Sequence, residues 1–317
     1  MIVIFAFKKI YCYNKGMKTQ KQIETHALIV SSIVNLIMAV SGLAVFFITN
    51  LQSLFLDGFF SFIAFLSNIM ALMFAKISNK KNSSYPTGMY FLEPLYGIIK
   101  AILMLYLLAT TLTEASTTAY QYFAHGIGEA INITPILPYT IIMVILCFGL
   151  SYYNKKQNEK INNSSTMLTA ESRSNFVDGI ISAGVGILIM TLFFININGK
   201  LGFFHYTGDF FITLILVLIS IKSPIELFLM SVREISGATI KDKEIKKIVR
   251  NIVRKEIKEE ELDNRFEVYK IGTHIKVVII LNDIVDTDVL SRLKSDATKE
   301  IKEKFENVSI EYVLRKI

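Results

Sequence analysis

Tryptophan is absent from the 317 residues, cysteine occurs twice and histidine four times. Cys12 and Cys147 stand in no spacing motif, which excludes a disulfide framework and a thiolate metal centre. Without tryptophan, tyrosine must carry any aromatic anchoring at a membrane interface. The opening M-I-V-I-F-A-F-K-K has an apolar stretch too short for a signal-peptide core, and its basic residues follow that stretch. We read no cleaved signal there, and Met17 is an alternative start.

What the chain has is hydrophobicity, 52% of its residues, with a mean hydropathy of +0.45. The excess is uneven: apolar runs fill the chain up to about Met230, and Lys, Glu and Asp dominate beyond Arg233. That shift divides the chain into an N-terminal segment over 1–25, a membrane domain over 26–232 and a soluble domain over 240–317. A spanning helix needs about 20 apolar residues. Six runs meet or approach that length, at 27–49, 51–77, 90–112, 135–153, 167–195 and 207–230.

Basic residues in the connections alternate. Lys8, Lys9, Lys15, Lys18 and Lys21 precede the first span, and Lys76, Lys80 and Lys81 follow the second. Lys155, Lys156 and Lys160 follow the fourth, whereas the intervening loops carry only Lys200. The bias puts both termini in the cytoplasm and predicts a multi-pass protein of the cell inner membrane. It also accounts for the net charge of +7 without nucleic acid as a partner. In the tail, Ile245, Ile248, Val249, Ile252 and Val253 repeat at helical spacing. Two strands follow around Gly272, then an amphipathic helix over 287–305 and a closing strand. The fold class is therefore an α-helical membrane protein of six transmembrane helices followed by a small cytoplasmic α+β domain of order α-β-β-α-β.

Two segments raise the functional question. F-L-D-G-F-F-S-F at 55–62 and F-V-D-G-I-I-S-A at 176–183 each put an aspartate and a glycine inside an apolar run. An Asp at the centre of a membrane helix costs roughly 2.5–3.5 kcal/mol on insertion scales, so such residues mark functional sites. Asp57 and Ser61 share a helical face, as do Ser174 and Asp178, with Asn175 and Ser182 nearby. Gly58 and Gly179 allow close helix approach. Two carboxylates and two hydroxyls hold a divalent cation through oxygen alone, and the acids exchange it for protons.

These features, with the six spans and the tail, resemble the cation diffusion facilitators, proton-coupled exporters of divalent transition metals. The stretch Y-P-T-G-M-Y-F-L-E-P-L at 85–95 is similar to the family's approach to its third span, with Pro86, Gly88, Glu93 and Pro94 in the familiar positions. The resemblance implies a transport site on spans two and five, metal ligands Asp57, Ser61, Ser174 and Asp178, and a homodimer joined through the cytoplasmic domain. It implies a cargo of Mn, Fe, Co or Zn, with no prosthetic group and no enzymatic activity. The family usually has Asp where Ser61 stands, His or Asp at Ser174, and a basic residue at Phe91.

The remaining charged and polar residues have structural readings. Lys100 snorkels or pairs with Glu93, and Lys222 with Glu226 forms a helix-surface pair. Glu171 and Arg173 line an entrance, Asn35 and Asn68 bond between helices, and His274 is a strand residue rather than a ligand. Two other functions compete with transport. An intramembrane aspartyl protease uses G-x-G-D, which neither acid matches. A non-transporting subunit or metal sensor of the same fold is favoured by the serines standing at ligand positions.

Overall fold

The computed structural model describes residues 20–314 apart from 79, 132–133, 162–165, 242, 259–264, 282–286, 303–304 and 306. Met17, Cys12 and the lysines ahead of residue 20 lie outside the described residues. Among the described residues seven helices precede a final mixed domain: α1 (Gln20–Thr49), α2 (Gln52–Ile77), α3 (Leu92–His125), α4 (Ile136–Glu159), α5 (Thr166–Phe194), α6 (Phe204–Ser220) and α7 (Lys222–Ile235). Counting α6 and α7 as one span, six helices among the described residues are long and apolar enough to cross a membrane. Their surface inverts that of a soluble protein. Phe47, Ile145, Phe193 and Leu218 are exposed, while Ser31, Asn35, Asn68, Asn154 and Asn175 are buried.

Two spans depart from expectation. The third was expected over 90–112 but continues to His125. No Gly or Pro interrupts Ile98–Ala124, and Thr111, Thr113, Ser116 and Thr117 return their hydroxyls to carbonyls one turn back. The helix stops at Gly126, whose left-handed conformation (φ 68°) suits glycine. Its 34 residues extend about 51 Å, well beyond the ~30 Å of a hydrocarbon core. The sixth span, expected as one run over 207–230, is interrupted at Ile221. Pro224 has no N–H to offer the carbonyl of Ser220, and the next bond, Ile225 N–H to Ile221 O, is 3.4 Å long.

Helices α1 and α2 pack through their glycines. A Cβ on Gly42 would lie 2.7 Å from the Gly58 backbone and 2.8 Å from the Tyr139 hydroxyl. Gly179 instead accommodates the ring of Phe148. On the other side, Ser151 and Ser172 exchange hydrogen bonds with each other's carbonyls across α4 and α5, at 2.8 and 2.9 Å. Leu54, Leu56, Leu108, Met143, Ile189 and Leu216 belong to the core between the helices.

The tail has the expected α-β-β-α-β order: α8 (Lys243–Lys258), β1 (Arg265–Ile271), β2 (His274–Leu281), α9 (Thr287–Lys302) and β3 (Asn307–Leu314). Strands β1 and β2 form an antiparallel hairpin, and β3 joins β2 in parallel after the α9 crossover. Val249, Val253, Ala297 and Ile301 on the helices bury Val268, Val277, Ile279 and Ile310 on the sheet. The hairpin turn is seated against the bundle. Gly272, at φ 57°, donates its N–H to Glu234 at 2.9 Å, and Lys270 lies 3.4 Å from the same carboxylate. His274 stacks on Tyr90 at 4.6 Å and meets Ser309 Oγ at 2.9 Å, so it is a packing residue, as its isolation implied. Burial, with Lys276 and Lys81 nearby, lowers its pKa and favours the neutral ring.

The glycine contact gives a direct check. Gly42→Val should lower the melting temperature of the detergent-solubilised protein by several degrees, since overpacking of this kind costs about 1–3 kcal/mol. Gly184→Ala, where an added Cβ meets nothing within 4 Å, should leave it unchanged. Equal melting curves for wild type and Gly42→Val would show that the helices do not meet as described.

Candidate functional site

Asp57 lies one and a half turns into α2 and Asp178 near the middle of α5. Asp57 accepts a hydrogen bond from the Tyr139 hydroxyl of α4 at 2.6 Å. It lines a cavity of ≈ 10 Å³, room for about one water, with Ser53, Tyr139, Thr140 and Ser182. The Ser182 hydroxyl is buried there without a hydrogen-bond partner. Asp178 accepts no hydrogen bond among the described residues, but it interacts electrostatically with Asp57, Glu171 and Lys100.

The depth of the two acids follows from one contact. Asn68 Nδ2 of α2 lies 3.4 Å from Glu171 Oε2 of α5, which ties the two antiparallel helices at one level. Asn68 is eleven residues past Asp57, about 16 Å of helix, and Glu171 is seven residues before Asp178, about 10 Å. Asp57 therefore lies about 6 Å, one turn, farther from the tail than Asp178. The same rise puts Asp57 at the depth of Ser182 and Asp178 at the depth of Ser61. The shared cavity of Asp57 and Ser182 agrees. Two D-x-x-x-S segments on antiparallel helices thus cross, each acid level with the other's serine, which keeps the carboxylates from sharing one depth.

Ser174 does not join them. It is exposed, with Arg173, Phe176 and Val177, while the buried seam of α5 runs through Leu168, Asn175, Gly179, Ser182, Val185 and Ile189. Four residues of helix turn through about 400°, so Ser174 trails Asp178 by about 40°, enough to leave the seam. Spacing alone places the two on a common face without saying which edge of that face is buried. Ser61 is half-buried.

The other polar residues sort by partner. Lys100 was expected to snorkel or to pair with Glu93, and no ion pair joins the two among the described residues. Lys100 is drawn toward Glu171 and Asp178 across the helices, and Glu93 turns to the Gly272 turn and Lys270. Asn68 bonds between helices as expected. Asn35, expected to do the same, has no partner among the described residues for either side-chain polar atom. It sits on α1 between Ser31, bonded to Asn154, and Met38, whose sulfur is 3.8 Å from Cys147. Lys222 and Glu226 form the exposed pair expected, at 3.8 Å. Arg173 is exposed. No three His, Cys, Asp or Glu side chains gather as a metal-binding group among the described residues.

Sequence reasoning missed two groups. Tyr139 gave no signal beyond its place in an apolar run. Asp209 did: it is a third acid beside a glycine in an apolar run, on α6. Its carboxylate accepts the backbone N–H of Gln52 at 2.7 Å and of Ser53 at 3.1 Å, and the Ser53 hydroxyl at 2.6 Å. These are the free donors of the first turn of α2, and the negative charge complements that helix end. Asp209 fixes the helix that carries Asp57.

Removing it should therefore show as a structural loss. Asp209→Ala should destabilise the solubilised protein by about 2–3 kcal/mol, the range for charge-assisted bonds left unmade in a buried place. Asp209→Asn, which keeps one acceptor, should lose less. Melting curves of the three proteins test the order, and an unchanged Asp209→Ala protein would remove the cap.

A search of curated proteins returns no match to the chain. The profile of the cation efflux transmembrane domain matches residues 28–236, a span that contains both acids, the serines level with them and the Asp209 cap. With six helices able to cross a bilayer, the matched region is that of a multi-pass integral membrane protein that moves metal cations outward. The chain belongs to the cation efflux family.

Proposed function

We propose that the protein exchanges a divalent transition-metal cation of the cytoplasm for protons, through Asp57 and Asp178 with Ser182 and Ser61 as neutral oxygen ligands. The crossed pairing of acid and serine between α2 and α5 carries this reading. It supplies two carboxylates and two hydroxyls around a pair of depths one turn apart, with Tyr139 orienting Asp57. Ser182 takes the place that spacing gave to Ser174. The cation is cargo, no prosthetic group is involved, and the protein is a transporter rather than an enzyme. Both termini face the cytoplasm of the cell inner membrane on the evidence of the lysine distribution.

Oxygen ligands favour harder ions, so among Mn²⁺, Fe²⁺, Co²⁺ and Zn²⁺ the first two should compete better here than at sites built with imidazole. Coupling to protons follows from ligand chemistry, because each carboxylate must be free of its proton when the metal enters. Transport should accordingly rise with pH through the titration of the pair.

Proteoliposomes loaded with a metal-sensitive dye test this reading. Asp57→Asn and Asp178→Asn should each abolish uptake of Mn²⁺ and the accompanying proton release. Ser182→Ala and Ser61→Ala should reduce it several-fold, and Ser174→Ala should leave it at the wild-type rate. Near-normal transport by both Asp→Asn proteins would sink the mechanism, and a wild type that binds the cation without flux would support the sensor reading instead.

The tail suits a dimer contact, and we expect a homodimer joined largely there. Light scattering in mild detergent should give twice the mass of the chain. A monomer that crosslinker leaves unchanged would contradict this.

A further inference from the structure

We propose that Lys100 is a tethered counter-cation, held between Glu171 and Asp178, that the incoming divalent cation displaces on its way to the acid pair. The proposal rests on the reading of Asp57 and Asp178 as the transport site. Its geometry comes from two contacts at one depth. Ser67 Oγ of α2 is 3.3 Å from the Tyr96 hydroxyl of α3, and the adjacent Asn68 is 3.4 Å from Glu171 of α5. Ser67, Asn68, Tyr96 and Glu171 thus mark a single level of three helices. From that level α3 and α5 both run away from the tail. Lys100 is four residues on, about 6 Å, and Asp178 seven residues on, about 10 Å. Lys100 thus stands at a depth between Glu171 and Asp178, the two acids whose charges reach it.

Lys100 also lines a cavity of ≈ 210 Å³ on the tail side of the acids, with Glu93, Tyr96, Glu234, Lys270 and Ser67. The charges around it come from every neighbouring element: Glu93 from its own helix, Glu171 and Asp178 from α5, Glu234 from α7 and Lys270 from β1. Helix α2 contributes only the neutral Ser67 and Asn68 to this level. A cation passing from the cavity to Asp178 meets Lys100 first. With the ammonium in place, the empty acids are partly neutralised within the protein. With a divalent cation bound, the ammonium is repelled, and its flexible stem lets it swing toward Glu93 and Glu234. Lys100 therefore weakens cargo binding and hastens release. It touches no cargo in this scheme and sets the affinity of the site through charge alone.

The test uses the full chain in proteoliposomes and in detergent, with whichever of the four cations the wild type carries fastest. Lys100→Met should tighten equilibrium binding on the order of tenfold, as expected for removing one nearby like charge from a partly screened interior. It should lower KM in parallel and reduce the maximal rate. Lys100→Arg, which keeps the charge, should stay near wild type, and Lys100→Met with Glu171→Gln should bind more weakly than Lys100→Met alone. Lys100→Gln separates loss of charge from loss of polarity and should behave as Lys100→Met. Unchanged or weaker binding by folded Lys100→Met and Lys100→Gln proteins overturns the proposal. So does an Arg variant that behaves like the Met variant, because a packing role then accounts for both. If the wild type neither binds nor moves any of the four cations, the transport reading fails and this inference falls with it. If the wild type transports and the Lys100 variants do not differ, only this inference falls.

Discussion

A membrane interior contains no water to satisfy a charge, so every carboxylate within the bundle has to find its partners on neighbouring helices. The organisation of this protein follows from how differently its buried acids meet that demand. Asp209 is fully employed, with three donors from the start of α2. Asp57 has one strong donor in Tyr139, and Glu171 is met by the amides of Asn68 and Asn175. Asp178 has no hydrogen bond among the described residues and relies on charge alone. The acids thus grade from structural to available. The least satisfied of them lies within a turn of an unpartnered serine hydroxyl, a natural place for an external cation to complete the coordination.

The helical spans were legible because twenty apolar residues in a row have few other uses, and the tail because its periodicity changes from helical to alternating. Asp57 and Asp178 were legible for the converse reason, as the expensive exceptions. What spacing did not reveal was depth and rotation. Whether Ser174 or Ser182 stands beside the acid pair depends on how far α5 is turned, and α4 sets that turn through Ser151 and Ser172. The end of α3 was misplaced because threonine and serine, poor helix formers in general, satisfy their hydroxyls on the helix's own carbonyls. Asp209 was overlooked although it carries the same glycine-acid signature as the other two. Its role as a cap appears only when α6 is placed against the first turn of α2.

The contacts around the Gly272 turn tie the tail to the bundle at a restricted set of residues. Glu234, near the end of α7, holds both the turn's N–H and Lys270, and Tyr90 holds His274. The tail is thereby fastened to α7 and to the turn that leads into α3, the two helices that also line the cavity in which Lys100 lies.

The interruption at Pro224 then divides one membrane span into two mechanical parts. The upper part, α6, is clamped to α2 through Asp209, and the lower part, α7, is fastened to the sheet. Between them the backbone has already given up the hydrogen bond that Ser220 would have accepted, and the next one, from Ile225 to Ile221, is long, so this joint resists bending less than an unbroken helix does. A torque applied by the tail would bend the span at this joint, beside the cavity, before it reached the outer clamp on Asp57's helix. The span behaves less like a strut than like a forearm with an elbow.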